Sequence, residues 1–353
     1  MSILPSSLEL LTELVAAVGP PGQEIGVRQA LLPYIAALRL HSWVDAKGNL
    51  LVGSRAIEQG QNKLRIVVTA HLDEIAAMVV EMELDGALRV APLGGTFPYK
   101  WGEGPVEMLV GAADAPAYVP GVLSFGSIHT TSAQASIQQV REGRTVTWEN
   151  VRVLTGYSPR ELQKRGVRPG TRVVIARDRR RLWHLGDNLV GSYFLDDRAD
   201  LVAWLLALEK IGEREDILFA ATASEEVGGE GAQYLMQAYH PEICIALEIG
   251  PSTPDAPFVV DAMPTVWVSD SYAVTDPRDL ELLAQAEADE GLALHWHAVT
   301  RGGSDASCTA SRGLCARPVT IAFAAENSHG FEIMHQDAPG NLARLLLAYL
   351  GCI

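Results

Sequence analysis

Cysteine is scarce in this chain and never clustered. The four residues Cys244, Cys308, Cys315 and Cys352 form no CxxC, and the nearest two stand seven apart. That spacing excludes a zinc ribbon or a thioredoxin-like motif and leaves free thiols in a reducing compartment. Positive charge is also in short supply: 28 Lys and Arg face 43 Asp and Glu, for a formal net charge of -15. Phosphate backbones and anionic lipid surfaces reward Lys and Arg, so neither nucleic acid nor membrane is expected as a partner. The one basic run, Arg177, Arg179, Arg180 and Arg181, is brief and reads as a solvated turn. No apolar run reaches the ~18 residues that a membrane span needs. The N-terminus lacks a basic stretch ahead of its apolar residues, and Leu8, Leu11, Leu14 and Val15 fall at helical spacing, which fits a helix better than a signal peptide. A soluble, cytoplasmic protein is expected. GxSxG and HExxH are both missing, and GGEGAQ lacks the spacing of a dinucleotide loop.

With 353 residues, 48% of them hydrophobic, the chain has enough material for one large α/β domain or two domains. Residues 5–40 read as two helices broken at GPPGQE, followed by a hairpin turning at Lys47, Gly48 and Asn49. LRIVVTAHLDE is a buried-type strand that ends where the polar residues begin. From 76 to 182 the texture changes to short valine-containing runs separated by Gly and Pro, the pattern of a small all-β unit. After Gly191 strand and helix alternate again: ADLVAWLLALEKI a helix, DILFAATAS a strand, GAQYLMQAY a helix, EICIALEIG and ARPVTIAFAAE strands, and DAPGNLARLLLAYL a final helix. The expected fold is α/β, with a catalytic unit of residues 1–75 and 183–353 interrupted by a β-rich insert at 76–182.

Ligands of open α/β sheets bind beyond the carboxyl ends of the strands. His71 and Asp73 follow IVVTA, Glu225 and Glu226 follow ILFAATAS, Glu248 ends ICIAL, and His329 follows VTIAFAAENS. Asp196 and Asp197 stand at a helix start, where unpaired amides tolerate negative charge. Each position alone has an ordinary structural explanation, such as a cap or a solvated turn. Together they place metal-capable side chains at five element ends. Asp196, Glu226 and Glu248 supply three negative charges and His71 and His329 none, so two divalent cations would leave one positive charge to hold a hydroxide. Asp73 is spaced to orient the His71 imidazole. Histidine and carboxylate without thiolate suit zinc, with cobalt or manganese as alternatives. A Glu226 bound to metal leaves Glu225 free to move a proton from water to a leaving group. The GGSDAS stretch at 302–307 reads either as a plain turn or as backbone amides facing the site.

The stretches TAHLDEIAAMVV, PGVLSFGSIH, GVRPGTRV, LDDRAD, TASEEVGGEGA and TRGGSDAS and the late His329 follow one another in an order that resembles the M42 family of metallo-aminopeptidases over nearly the whole chain. The resemblance implies an α/β zinc-exopeptidase domain, its mixed central sheet flanked by helices, with an inserted β-barrel or PDZ-like domain. It also implies Asp196 as bridging ligand, His71 and Glu248 on one metal, Glu226 and His329 on the other, and Glu225 as general base. A cis peptide after Asp196, short peptide substrates, and assembly through the insert into dimers or dodecamers follow from the same resemblance. The chain departs from the pattern at Glu248, where relatives have Asp, so Asp255 is an alternative ligand. It departs again at Asp200, usually Gly, at Ala76 in HLDEIA, and at NSHGFEIMH, where His335 rivals His329. Two other functions fit the residues less fully: a metal-dependent deacylase or amidase for a modified small amide, and a non-catalytic assembly protein of the same fold.

Overall fold

The computed structural model describes residues 2–61, 64–112, 115–130 and 136–353. Its main sheet has eleven strands among the described residues. Four of them, β1 (Ile66–His71), β2 (Ile217–Thr222), β3 (Ile243–Pro251) and β4 (Arg317–Glu326), run parallel, in the spatial order β2-β1-β3-β4. The register sets Thr222 opposite His71. All four are buried along nearly their whole length, as continuous apolar strands covered on both faces require. Antiparallel strands close each side: the hairpin Ser42–Val44 with Leu50–Val52 beside β2, and β5 (Phe331–His335), Leu189–Tyr193 and Trp183–Leu185 beyond β4. The sheet is therefore mixed.

The helix Leu195–Ile211 crosses this sheet and is buried through most of its length; Trp204 meets Phe219 edge to face, with ring centroids 5.8 Å apart. The final helix Ala338–Cys352 packs against it, and Ser7–Ala16, capped by Ser6 and Glu9, joins the same core. Each fully buried Leu, Val or Phe contributes about 1.5–3 kcal/mol through removal from water.

A second core lies in a closed barrel of six strands among the described residues, ordered Ala76–Met82, Leu88–Leu93, Arg152–Leu154, Ala115–Ser124, Gly104–Ala112 and Arg172–Ile175. Its interior holds Val79, Val106, Met108, Val153 and Val173 together with the edge-to-face pair Trp101 and Trp148. The α/β sheet with an inserted barrel matches the fold expected from sequence. No helix of the described residues is long and apolar enough to cross a membrane.

Two sequence expectations need correction. Arg180 is not part of a solvated turn: it is 2% exposed and reaches Glu74, which is also bound by buried Arg198 at 2.5 Å. Residues 264–310 hold more regular structure than the sequence reading assigned, namely strands Pro264–Ser269 and His295–Ala298 and helices Pro277–Glu290 and Asp305–Ala310. GGSDAS is thus largely a helix start, with Ser304 capping the amide of Ser307.

Candidate metal centre

The carboxyl ends of β1, β2, β3 and β4 lie along one rim, and the loops leaving them carry most of the acidic and histidine side chains singled out above. His71 is the last residue of β1. Its Nδ1 donates to the carbonyl of Asp73 at 3.1 Å, with an Asp73 carboxylate oxygen at 3.5 Å. Since a carbonyl only accepts, Nδ1 carries the hydrogen and Nε2 faces the cleft. That Nε2 stands 2.9 Å from Asp196 Oδ1.

His329 is built the same way from the other side. Its Nδ1 donates to the carbonyl of Gly95 at 2.8 Å, a residue just past the barrel strand Leu88–Leu93. Its Nε2 lies 3.5 Å from Asp196 Oδ2 and 3.8 Å from Glu226 Oε2. Each Asp196 oxygen therefore faces a different imidazole. The Asp196–Asp197 peptide is cis, and the main-chain N–H of His71 donates to Asp197 at 2.5 Å.

The turn after β2 is shaped by Ser224, Gly228 and Gly229, all at positive φ. Gly231 is obligatory there, because a Cβ would fall 2.2 Å from the carbonyl of Ala223. Asp73 accepts the main-chain N–H of Glu225 at 2.9 Å and of Glu226 at 3.1 Å, one on each carboxylate oxygen. It thus fixes the acidic pair as well as touching His71.

Donor atoms converge in three groups among the described residues: Asp196 with Glu226 and His329, His71 with Glu225 and Glu248, and His71 with Asp196 and Asp197, each within 4.8 Å of one another. Glu248 belongs to such a group. Asp255 is exposed and belongs to none, and His335 lies instead 3.8 Å from Asp337.

Burial, with like charge close by, pushes the acids up: Glu226 to about 7, and Glu225 and Glu248 well above the usual carboxylate range, Asp196 and the acidic neighbours adding to the effect. Asp196 is held low in spite of burial by the His329 and His71 imidazoles that face it. Two cations fit this donor set. Nitrogen and oxygen donors about 2.0–2.2 Å from one tetrahedral ion stand roughly 3.3–3.6 Å apart, and the observed separations of 2.9 to 3.8 Å bracket that.

Sequence reasoning missed Glu332 on β5. Buried at 1% exposure, it accepts the main-chain N–H of Asp196 at 3.0 Å and of His329 at 2.9 Å, and burial followed by the Asp196 charge pushes it up to about 8. The available signal was an acid inside the apolar run FEIMH. Glu74 was missed for a different reason, since its partners Arg180 and Arg198 are distant in sequence.

The chain matches the model of the M42 glutamyl aminopeptidase family over residues 48–345. It is 28% identical over 244 residues to the lysyl aminopeptidase of Pyrococcus furiosus, covering 68% of this chain and 66% of that one, just under two thirds. A putative aminopeptidase of Acetivibrio thermocellus is 25% identical, with 84% of each chain covered. Among solved structures, the TET1 peptidase of Pyrococcus horikoshii, which can assemble into a tetrahedron or a large octahedral shell, superposes with a TM-score of 0.81 at 23% identity, covering 97% of this chain and 98% of that one.

Proposed function

The chain belongs to the M42 glutamyl aminopeptidase family, and from that premise we propose that it is a dinuclear metal-dependent aminopeptidase acting on short peptides. The observation that carries this reading is Asp196, whose two oxygens face the free Nε2 atoms of two imidazoles, each held from behind by a main-chain carbonyl. Asp196 would lie between the ions, with His71 and Glu248 on one and Glu226 and His329 on the other. Zinc fits the donors first, and cobalt or manganese second. When bound, such ions polarise a scissile carbonyl and acidify water.

The remaining chemistry belongs to the chain. Glu225 accepts the proton of the attacking water and delivers it to the leaving amine; burial and the neighbouring acids raise its proton affinity above that of an ordinary carboxylate. Asp73 keeps Glu225 and Glu226 apart in role by fixing both main-chain N–H groups. Glu332 does the same for Asp196 and His329.

Residues 1–75 and 183–353 form the catalytic unit in this proposal, and 76–182 the insert through which copies assemble; that copies assemble at all is supported by the shells of the horikoshii relative. Metal analysis joined to hydrolysis of a free-amine substrate tests the function, and light scattering tests assembly. Cleavage confined to N-acylated substrates would support the deacylase reading.

A further inference from the structure

A cavity of about 400 Å³ opens over the metal centre, and one part of its wall is apolar and buried: Ile249, Trp267, Val299 and Cys308. Among the described residues Arg301 is the only Lys or Arg lining it. Arg301 is exposed and makes no hydrogen bond or ion pair among those residues. It also borders a second cavity of about 370 Å³, which shares Pro251 and Val299 with the first but is more polar, with Thr253, Asp255 and His297. Buried His297 has an Nδ1 without a partner there, and burial followed by neighbouring His295 lowers its proton affinity, so it offers an uncharged imidazole.

The two ends of a peptide would meet different surroundings. The side chain beside the scissile bond must sit close to the acids of the metal centre and against Ile249, Trp267 and Val299. An acidic side chain placed there would be desolvated against Ile249, Trp267 and Val299, with no basic side chain among them. An apolar side chain gains by burial. The rest of a short peptide leaves toward the exposed lip, where an unpaired guanidinium stands in a protein of net charge -15. Guanidinium and carboxylate pair through two parallel N–H to O bonds, a contact an amide cannot reproduce.

We propose that Arg301 receives the C-terminal carboxylate of the substrate, so that the enzyme prefers di- and tripeptides with an apolar N-terminal residue. This rests on the aminopeptidase reading and adds to it a substrate class and a specificity-determining residue.

The test compares kcat/KM for Leu-Ala, Leu-Ala amide and Glu-Ala on the metal-loaded parent and on Arg301→Gln. The expected result is a preference of about tenfold or more for Leu-Ala over its amide and over Glu-Ala. In Arg301→Gln the acid-over-amide ratio should fall to about one, because the group that pairs with a carboxylate and not with an amide is gone. Arg301→Lys should retain part of the ratio. Equal rates for acid and amide on the parent, a ratio that survives Arg301→Gln, or faster cleavage of Glu-Ala would overturn the proposal, the last by moving Arg301 to the N-terminal side chain. Calorimetric binding of Leu-Ala and its amide to metal-loaded Glu225→Gln reads the same preference without turnover. Preferential binding of the acid with no hydrolysis by the parent would count against the peptidase reading and leave the role of Arg301 standing.

Discussion

The Nδ1 of His329 lies 2.8 Å from the carbonyl of Gly95, so a loop leaving the barrel orients a side chain of the metal centre. Nearby, the Lys100 ammonium donates to Asn327 Oδ1 at 2.7 Å and to the carbonyl of Ser328 at 3.2 Å, and Trp148 donates to the carbonyl of Thr96 at 2.8 Å. Barrel and sheet are joined through the site itself.

Gly94 is the sensitive point of that junction. It has φ +88°, and a Cβ there would meet Glu226 Oε2 and Ile75 Cγ2 at 3.0 Å each. Gly94→Ala should cost about 1–3 kcal/mol of local strain and displace the Glu226 carboxylate. Dialysis against a weak chelator followed by elemental analysis should show one ion per chain lost at least tenfold more readily than from the parent. Unchanged retention of both ions would show that the loop does not constrain Glu226.

Removing the central carboxylate should affect both ions. Asp196→Ala is expected to bind less than one ion per chain at metal concentrations that saturate the parent at two, whereas Glu226→Ala should keep the ion near His71. Equal losses in the two variants would contradict a bridging Asp196.

The buried ion triad under the site is a stability element. Glu74 binds both Arg180 and Arg198, and Arg198 donates to the carbonyls of Leu72 and Asp73 at 2.9 and 3.1 Å, directly beneath His71 and the residue that fixes the Glu pair. Glu74→Gln leaves two buried guanidinium groups without a countercharge and should cost about 3–5 kcal/mol in urea unfolding. A loss below about 1 kcal/mol would mean that water reaches the triad.

The thiols should divide by burial. Burial pushes Cys308 up to about 12, Cys315 up to about 11 and Cys244 well above the ordinary thiol range, whereas Cys352 is half-buried in the final helix. Thiolate is the reactive form. At pH 8 a disulfide reagent should therefore modify Cys352 first and the other three only after denaturation, as counted by mass spectrometry. Rapid labelling of Cys308 in the native protein would contradict the burial of the cavity wall.

The parallel strands were legible because doubly buried strands are written as unbroken apolar runs, as in IVVTA and ICIAL. Their polar ends pointed to one rim for the same reason. Arg180 was misread because a guanidinium inside a basic run looks solvated until its partner is known, and Glu74 lies 106 residues away. Glu332 was hidden because it binds main-chain N–H groups, which leave no trace in side-chain spacing. The helix Pro277–Glu290 carried its own signals in the Asp276 cap, Pro277 at its start and Gly291 at its end, and its mostly polar face obscured them.

The most direct test is hydrolysis of leucine p-nitroanilide by Glu225→Gln at a measured load of two ions per chain. The account predicts a kcat at least about a hundredfold below the parent, in the range of a lost general base, with metal content unchanged. Parent-like turnover at full metal load would contradict the assignment of Glu225 as the proton carrier.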